Sequence, residues 1–254
     1  MRTGIRYLVL AYLAFGAAGA SPAAAQDAPK KEHSAVKPVP RDAKWMKRHE
    51  KFTEMAGKGG IELLFLGDSI TDAWGGEGHN PKAAGAEIFE EEFRPMKAAN
   101  FGIGGDRTQH VLWRLQNGEL EGISPKVVML MIGTNNSNRD DNTAEEIAEG
   151  VTAIVREIHK RSPKTKVLLL GIFPRGAKPN PQREKIAKAN AIISKLDDGG
   201  RTVKYLDIGE KFLEPDGSIS KEIMPDYLHL SPKGYRIWAD AVKGPIRELM
   251  GEKD

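Results

Sequence analysis

A catalytic nucleophile needs an activating base and an acid that orients the base, and hydrogen-bond donors must stabilise any oxyanion that its reaction creates. Ser69 comes directly after the apolar run 61–66, in a short Gly-Asp-Ser turn. Asp226 and His229 are three positions apart near the carboxyl end, close enough to act on one turn. His229 would take the proton of Ser69, and Asp226 would orient the imidazole and stabilise its charged form. The three residue types therefore predict nucleophilic acyl transfer.

Groups that could donate hydrogen bonds to the oxyanion occur in the same segments. Ser69 would lie at a helix N-terminus, where backbone N–H groups favour negative charge. Gly104 and Gly105 could expose a backbone N–H to a ligand. Asn135 follows another apolar run and offers a side-chain amide. We therefore expect one N–H from each of these three segments at the site.

Each of these residues also has an ordinary structural explanation. Gly-Asp-Ser is common in turns, and a serine can simply cap a helix. Asp226 could cap the next turn, the two glycines could form only a tight turn, and Asn135 could bond its own backbone. All four segments, however, follow predicted elements in the order Ser, Gly, Asn, Asp–His. This shared placement favours the catalytic interpretation.

The elements that must position these groups alternate along the chain. Apolar runs rich in Val, Leu and Ile, separated by helices, indicate a parallel sheet covered on both faces. The predicted strands are 61–66, 97–101, 127–132, 167–170 and 203–206, and the predicted helices are 42–57, 108–117, 143–161, 183–196 and 232–250. We predict a three-layer α/β/α domain with about five parallel strands, and sites of such sheets lie after the strands.

The amino-terminal region has a different composition. Residues 1–25 combine a basic start, a short apolar run and three alanines, a pattern typical of a secretory signal peptide, although an uncleaved anchor is the alternative. Residues 26–41 are rich in Pro and Lys and predict a flexible linker before the catalytic domain, 42–254. No cysteine is present to carry a lipid anchor. We expect a secreted or periplasmic protein with no stable membrane anchor.

Composition and motifs argue against several other classes of function. The net charge of +3 is small and does not indicate a nucleic-acid-binding surface. Arg107 stands where a dinucleotide-binding loop would need glycine, and no P-loop occurs. The six histidines are scattered without metal-ligand spacing. We therefore expect no cofactor and no metal, and a small-molecule or polysaccharide acyl ester as the substrate.

At these residues the sequence resembles the SGNH hydrolases, also called the GDSL family of esterases and lipases. The four matching blocks are 67–70, 100–106, 133–135 and 226–229, with Ile70 where leucine is usual. The resemblance implies the flavodoxin-like SGNH hydrolase fold. It also implies a Ser69, Asp226 and His229 triad and an oxyanion hole of Ser69, Gly105 and Asn135. Gly105 is preferred to Gly104 because the family's glycine directly precedes Asp-x-Thr.

Longer motifs are similar to the catalytic subunits of the intracellular platelet-activating factor acetylhydrolases. They are segments 100–120, 133–136, 143–146 and 174–181. The resemblance implies that Ile70 and Leu228 restrict the acyl pocket to acetyl-sized groups, although both could be ordinary core residues. The animal subunits dimerise, which leaves a homodimer open here.

Two departures from that resemblance bear on the substrate. The animal members are cytosolic, whereas this chain begins with an export-like segment. The stretch from Trp74 to Phe93 is also longer and is expected to line the substrate cleft. We therefore expect a secreted acetylesterase acting on O-acetylated carbohydrates. The alternatives are hydrolysis of platelet-activating-factor-like lipids and, from another class, a non-catalytic ligand-binding protein.

Overall fold

The computed structural model describes Met1 and residues 32–252. The predicted signal peptide, apart from Met1, and the first part of the predicted linker lie outside the described residues. Five strands form the sheet: β1 Leu63–Gly67, β2 Ala98–Asn100, β3 Val127–Met131, β4 Lys166–Leu170 and β5 Val203–Leu206. The α-helices are α1 Ala43–Lys58, α2 Ser69–Asp72, α3 Ala86–Glu92, α4 Thr108–Gln116, α5 Ala144–Arg161, α6 Pro181–Ile193 and α7 Pro232–Met250.

The sheet has the order β2-β1-β3-β4-β5, and every neighbouring pair of strands is parallel. This is the flavodoxin-like order, in which the chain winds outward in both directions from β1. The direction changes between β1 and β3, so the loops that follow these two strands separate and leave a crevice. The prediction of an α/β/α fold with five parallel strands is confirmed.

Two apolar clusters lie on opposite faces of the sheet because successive strand side chains point to opposite sides. Leu64 and Leu66 of β1 pack with α1, α4 and α5 on one face. Leu63 and Phe65 of the same strand pack with α3 and α7 on the other face. No helix in the described part of the chain has the length and apolar content of a membrane span.

The helix boundaries follow the capping residues. Asp42 caps α1 by accepting from the N–H groups of Lys44 and Trp45. Thr143 and Glu146 form the predicted capping box at the start of α5. Among the described residues, α3 is the one helix of more than four residues that the sequence did not predict, and it lies within the stretch 74–93. It is only two turns long, and tertiary packing rather than its own periodicity stabilises so short a helix.

The segment before α1 differs from the linker prediction. Residues 34–36 form a 3-10 turn, and Ala35 is fully buried. The carbonyl of Ala35 accepts from Thr108 Oγ1 at 2.8 Å, and the ring of His33 bonds Glu149 Oε2 at 3.0 Å. A β-carbon on Gly150 of α5 would lie 2.8 Å from that carbonyl, so the glycine makes room for the segment. Composition alone does not reveal such a docking contact.

Candidate active site

The serine turn is built by a close approach of two strands. A β-carbon on Gly67 would lie 2.3 Å from the carbonyl oxygen of Met131, so only glycine fits at the end of β1. Asp68 then caps α2 by accepting from the N–H of Ile70 at 3.0 Å. Ser69 is thereby held as the first residue of α2, at the carboxyl edge of the sheet.

Ser69, His229 and Asp226 form a continuous hydrogen-bonded chain. Ser69 Oγ lies 2.9 Å from His229 Nε2, and His229 Nδ1 lies 2.7 Å from Asp226 Oδ2. The side chains of His229 and Asp226 are 40% and 56% exposed, so the site is open to solvent. The structure therefore brings together the three residues that the sequence analysis placed in a triad.

The turn that carries Asp226 and His229 is fixed from within and from outside. Asp226 Oδ1 accepts from the backbone N–H groups of Leu228 and His229, at 3.0 and 2.7 Å. Tyr227 has a left-handed φ of 61°, which is costly for a residue with a β-carbon. Its carbonyl accepts from the N–H of Gly176 at 2.7 Å, and this contact helps to hold the strained turn.

Asp226 carries its negative charge at neutral pH. Burial acts to raise the pKa of its carboxyl group, but the hydrogen bonds from the ring and backbone N–H of His229 outweigh burial and lower the pKa. An ionised Asp226 selects the tautomer of His229 that carries its proton on Nδ1. Nε2 of the imidazole is then free to accept the proton of Ser69.

The backbone of the Gly104–Gly105 loop lies beside the serine. A β-carbon on Gly104 would lie 3.8 Å from Cβ of Ser69. The N–H of Gly104 donates to Asp72 Oδ2 at 3.0 Å. Within the described part of the chain, the N–H groups of Gly105 and Ser69 donate to no acceptor. Gly105, rather than Gly104, therefore has its N–H free for a ligand.

Asn135 lies after β3, across the crevice from β1. Its Nδ2 donates one hydrogen to the carbonyl of Asp106 at 2.9 Å, which leaves the second amide hydrogen for a ligand. Asp106 is itself fixed by Arg114 Nε at 3.0 Å and by Trp45 Nε1 at 2.7 Å. Arg114 also pairs with Glu119, and all three ionisable side chains are fully buried. This network orients the amide of Asn135.

The two residues predicted to line the acyl pocket occupy different environments. Ile70 is only 1% exposed and packs in the cluster beneath the sheet, as a core residue does. Leu228 is half-buried and packs against the edge of the same cluster. Trp74, which begins the stretch 74–93 that was expected to line the substrate cleft, is fully buried among aromatic rings of the core.

Three residues near the site had no signal in the sequence. Arg41, at the end of the predicted linker, donates from Nη1 to the carbonyl of Gly104 at 2.8 Å. Asp72 Oδ1 lies 2.6 Å from Nδ1 of His79, whose side chain is fully buried. His79 belongs to the stretch 74–93, so a contact from this stretch orients the carboxylate of Asp72. Neither Arg41 nor His79 stands in a motif, and only their contacts reveal them.

Asp68 is a buried acid directly beside Ser69. Burial raises the pKa of its carboxyl group to about 7, against the opposing effect of the N–H of Ile70, and the nearby charge of Asp106 raises it further. Its Oδ2 has no hydrogen-bond partner among the described residues. Asp68 therefore caps α2, but its ionised form lowers the stability of the fold because a charged oxygen is then buried without a partner among the described residues.

Comparisons with known proteins place this chain among ester hydrolases. A sequence profile of the GDSL-like Lipase/Acylhydrolase family matches residues 65–237. The chain is 44% identical over 216 residues to platelet-activating factor acetylhydrolase IB subunit alpha2 of Rattus norvegicus, covering 85% of this chain and 87% of that protein. It is 41% identical over 227 residues to subunit alpha1 of Homo sapiens, covering 89% and 93%.

Solved structures agree in fold. A GDSL-like lipase from Bacteroides thetaiotaomicron superposes with a TM-score of 0.63 at 18% identity, covering 80% of this chain and 97% of that one. A catalytic mutant of an acetylxylan esterase from Geobacillus stearothermophilus superposes with a TM-score of 0.55 at 21% identity, covering 77% and 96%. At these identities the likeness shows the common α/β architecture.

Proposed function

Because this chain belongs to the GDSL-like lipase/acylhydrolase family and is a carboxylic ester hydrolase, we propose that Ser69, His229 and Asp226 hydrolyse short acyl esters. The observation that carries this proposal is the hydrogen-bonded chain from Ser69 Oγ through the imidazole of His229 to Asp226, with both distances below 3 Å. A serine hydroxyl is a weak nucleophile, and an adjacent base with an orienting acid is the arrangement that activates it.

The acylation step follows from this geometry. As Ser69 Oγ attacks the ester carbonyl carbon, its proton passes to Nε2 of His229, and the carbonyl oxygen becomes an oxyanion. The free N–H groups of Ser69 and Gly105 and the second amide hydrogen of Asn135 stabilise that charge. The intermediate collapses when the bond to the alcohol breaks, and His229 returns the proton to the leaving oxygen.

Deacylation repeats the same proton transfers with water. His229 takes a proton from the water that attacks the acyl-serine, and a second tetrahedral intermediate forms in the same oxyanion hole. Its collapse returns the proton to Ser69 Oγ and releases the carboxylic acid. Asp226 stays ionised throughout and stabilises the imidazolium that forms in each half-reaction.

The proposed acyl group is acetyl. The two curated relatives are acetylhydrolases by name and cover most of this chain, which supports a short acyl group. Leu228 is next to His229 in the chain and is half-buried, so its side chain is exposed enough to contact an acyl chain. Ile70 would act indirectly, as the packed floor beneath the nucleophile.

Two leaving alcohols are candidates. The named relatives favour a lipid similar to platelet-activating factor. The export-like composition of residues 1–25 instead favours acetylated carbohydrate outside the cytoplasm. The exposed His229 and Asp226 leave room for either kind of bulky alcohol. We place the lipid first, because the relatives share over 40% of their residues with this chain across nearly its whole length.

The test is acetate release by the purified protein from three substrates: p-nitrophenyl acetate, platelet-activating factor and acetylated xylan. Ser69→Ala serves as the inactive variant. Ser194→Ala serves as the matched control, because the hydroxyl of Ser194 donates to the carbonyl of Ala191 at the end of α6. Activity in Ser194→Ala and its loss in Ser69→Ala support the serine mechanism. Equal activity of Ser69→Ala and the parent would overturn it and favour a ligand-binding role.

Export is a separate proposal with its own measurement. Residues 1–25 have the basic, apolar and small-residue order of a signal peptide. Fractionation of bacterial cells that express the full chain should place esterase activity outside the cytoplasm. A variant lacking 2–25 should retain its activity in the cytoplasmic fraction. Full cytoplasmic retention of the complete chain contradicts this proposal.

A further inference from the structure

Charged side chains hold both backbone groups of Gly104, the residue that precedes the proposed oxyanion donor. Arg41 Nη1 donates to the Gly104 carbonyl at 2.8 Å. On the other side, Asp72 Oδ2 accepts from the Gly104 N–H at 3.0 Å. Neither contact involves a substrate group, and both act on the main chain next to Ser69. The loop is therefore held by side chains from two distant parts of the sequence.

The contact with Arg41 determines where the N–H of Gly105 points. The carbonyl of Gly104 and the N–H of Gly105 belong to one planar trans peptide unit, in which the two bonds point in opposite directions. A donor that holds the carbonyl on one side therefore aims the N–H to the other side. Because Arg41 is charged, its bond to the carbonyl also polarises this peptide and strengthens the N–H as a donor.

The guanidinium of Arg41 is itself held in place by a buried carboxylate. The same Nη1 bonds Asp106 Oδ1 at 2.9 Å, and that carboxylate is fully buried. The side chain of Arg41 is only 28% exposed. The guanidinium also covers Gly105: a β-carbon there would lie 3.1 Å from Nη2 of Arg41. Gly105 has a φ of 78°, so the loop both needs glycine and leaves space for the arginine.

The other anchor of the loop is buttressed in a similar way. Asp72 Oδ1 accepts from Arg48 Nη2 at 3.1 Å and lies 2.6 Å from the ring of His79. These contacts orient the carboxylate whose second oxygen receives the N–H of Gly104. Asp72 holds the N–H of Gly104, which lies next to the peptide between Gly104 and Gly105. Arg41 restrains this peptide.

We propose that Arg41 is a positioning residue of the oxyanion hole, which sets the Gly104–Gly105 peptide so that the N–H of Gly105 faces the developing oxyanion. The proposal rests on the proposed serine-esterase function. It gives the segment before α1 a role in positioning the oxyanion hole. It also assigns a role to a residue that composition places in a linker.

The experiment compares kcat and KM for p-nitrophenyl acetate in Arg41→Ala, Arg41→Gln and Arg41→Lys. Loss of a complete oxyanion donor lowers kcat by about 10²–10³-fold, so a misaimed donor should lower it by about 10–100-fold. KM should change little, because the oxyanion forms only in the transition state. Arg41→Lys should recover part of kcat, since an ammonium can still donate to the Gly104 carbonyl.

Chemical rescue separates positioning from a general loss of structure. Millimolar guanidinium chloride should raise kcat of Arg41→Ala severalfold and leave Arg94→Ala unchanged. Arg94 is the matched control because its half-exposed side chain pairs with the half-exposed Glu90 of α3. Thermal unfolding of each variant reports whether it is folded. If Arg41→Ala is unfolded, a higher kcat in Arg41→Lys than in Arg41→Gln supports the positioning role, and equal kcat values in these two variants overturn it.

The outcomes are distinct for the two proposals. A lower kcat with unchanged KM, partial recovery in Arg41→Lys and rescue by guanidinium support the positioning role. Parent-like kcat in folded Arg41→Ala, together with an inactive Ser69→Ala, overturns the role of Arg41 and leaves the esterase proposal intact. Equal activity of Ser69→Ala and the parent overturns the esterase proposal itself.

Discussion

Ser69 Oγ lies 2.9 Å from Nε2 of His229, although 160 positions separate the two residues in the chain. β1 delivers the serine to the carboxyl edge of the sheet, and the turn before α7 delivers the histidine to the same edge. The Asp226 carboxylate completes the chain at 2.7 Å. The hydrogen bond between Ser69 and His229 therefore pairs a nucleophile and a base that lie in separate turns of the chain.

Esterase activity should fall at acid pH. The hydrogen bonds from His229 lower the pKa of the Asp226 carboxyl group, so the folded protein keeps this carboxylate ionised to a lower pH than a free aspartate. Activity should be lost once the pH falls far enough to protonate Asp226, because the neutral acid no longer stabilises the imidazolium of His229. In Asp226→Asn, kcat at neutral pH should drop by about 10²–10⁴-fold, because the imidazole loses its tautomer control. Steady-state kinetics on p-nitrophenyl acetate measures both effects, and a parental kcat in Asp226→Asn contradicts the role of Asp226.

Substitution of Asn135 should affect kcat far more than KM. Asn135→Ala removes the side-chain donor from the proposed oxyanion hole, and such losses cost about 10²–10³-fold in kcat. Asn135→Asp keeps the shape but also lacks the donor, so it should be at least as slow. Steady-state kinetics on p-nitrophenyl acetate provides the measurement. If both variants stay near the parental kcat, Asn135 only holds the carbonyl of Asp106.

Asp68 should make the fold less stable as the pH rises. Its carboxyl pKa is 3.8 ordinarily and about 7 in the fold, so between these values the folded state binds a proton that the unfolded state has lost. Stability therefore decreases as pH rises through this window, by an amount of the order of 4 kcal/mol. Asp68→Asn cannot ionise, so its stability relative to the parent should be higher at pH 8 than at pH 5. Urea unfolding at both pH values measures this difference; an equal difference at both contradicts the assignment.

Leu228 should control acyl-chain length. The parent should hydrolyse p-nitrophenyl acetate faster than the octanoate, and Leu228→Ala should narrow this ratio because it removes bulk from the rim of the site. Ile70→Ala is less informative, since it opens a cavity in the core that costs about 2–5 kcal/mol of stability. Equal or better turnover of octanoate by the parent contradicts the acetyl preference.

The buried ring of His79 should stabilise the fold, because it bonds the stretch 74–93 to Asp72 and to Asn100. Its ring bonds Asp72 Oδ1 at 2.6 Å and the carbonyl of Asn100 at 2.7 Å, and its side chain is fully buried. His79→Ala removes one hydrogen-bond partner from each of these two acceptors, although Asp72 Oδ1 keeps Arg48, and this loss should cost about 1–3 kcal/mol. Lys82→Ala, on the same stretch but exposed, should change the free energy of unfolding by less than about 0.5 kcal/mol. Urea unfolding compares the two, and similar losses would show that the ring contacts of His79 stabilise nothing.

The sequence alone determined the architecture and the order of its polar loops. Apolar runs such as 127–132 read as buried parallel strands because their periodicity and β-branched content are local properties. Since parallel strands end at one edge, the segments after them were expected to meet, and Ser69, His229 and Asp226 do meet there. The family pattern favoured Gly105 over Gly104, and within the described residues the N–H of Gly105 donates to no acceptor.

Tertiary structure alone decided which other side chains support the site. Arg41 reaches Gly104 across 63 positions, and His79 is buried under Asp72 without belonging to any motif. It also decided that Ile70 packs in the core while Leu228 stays at the rim. Local periodicity contains no information about such contacts, because they depend on how the docked N-terminal segment and the long stretch after Ser69 fill the space that the sheet leaves open.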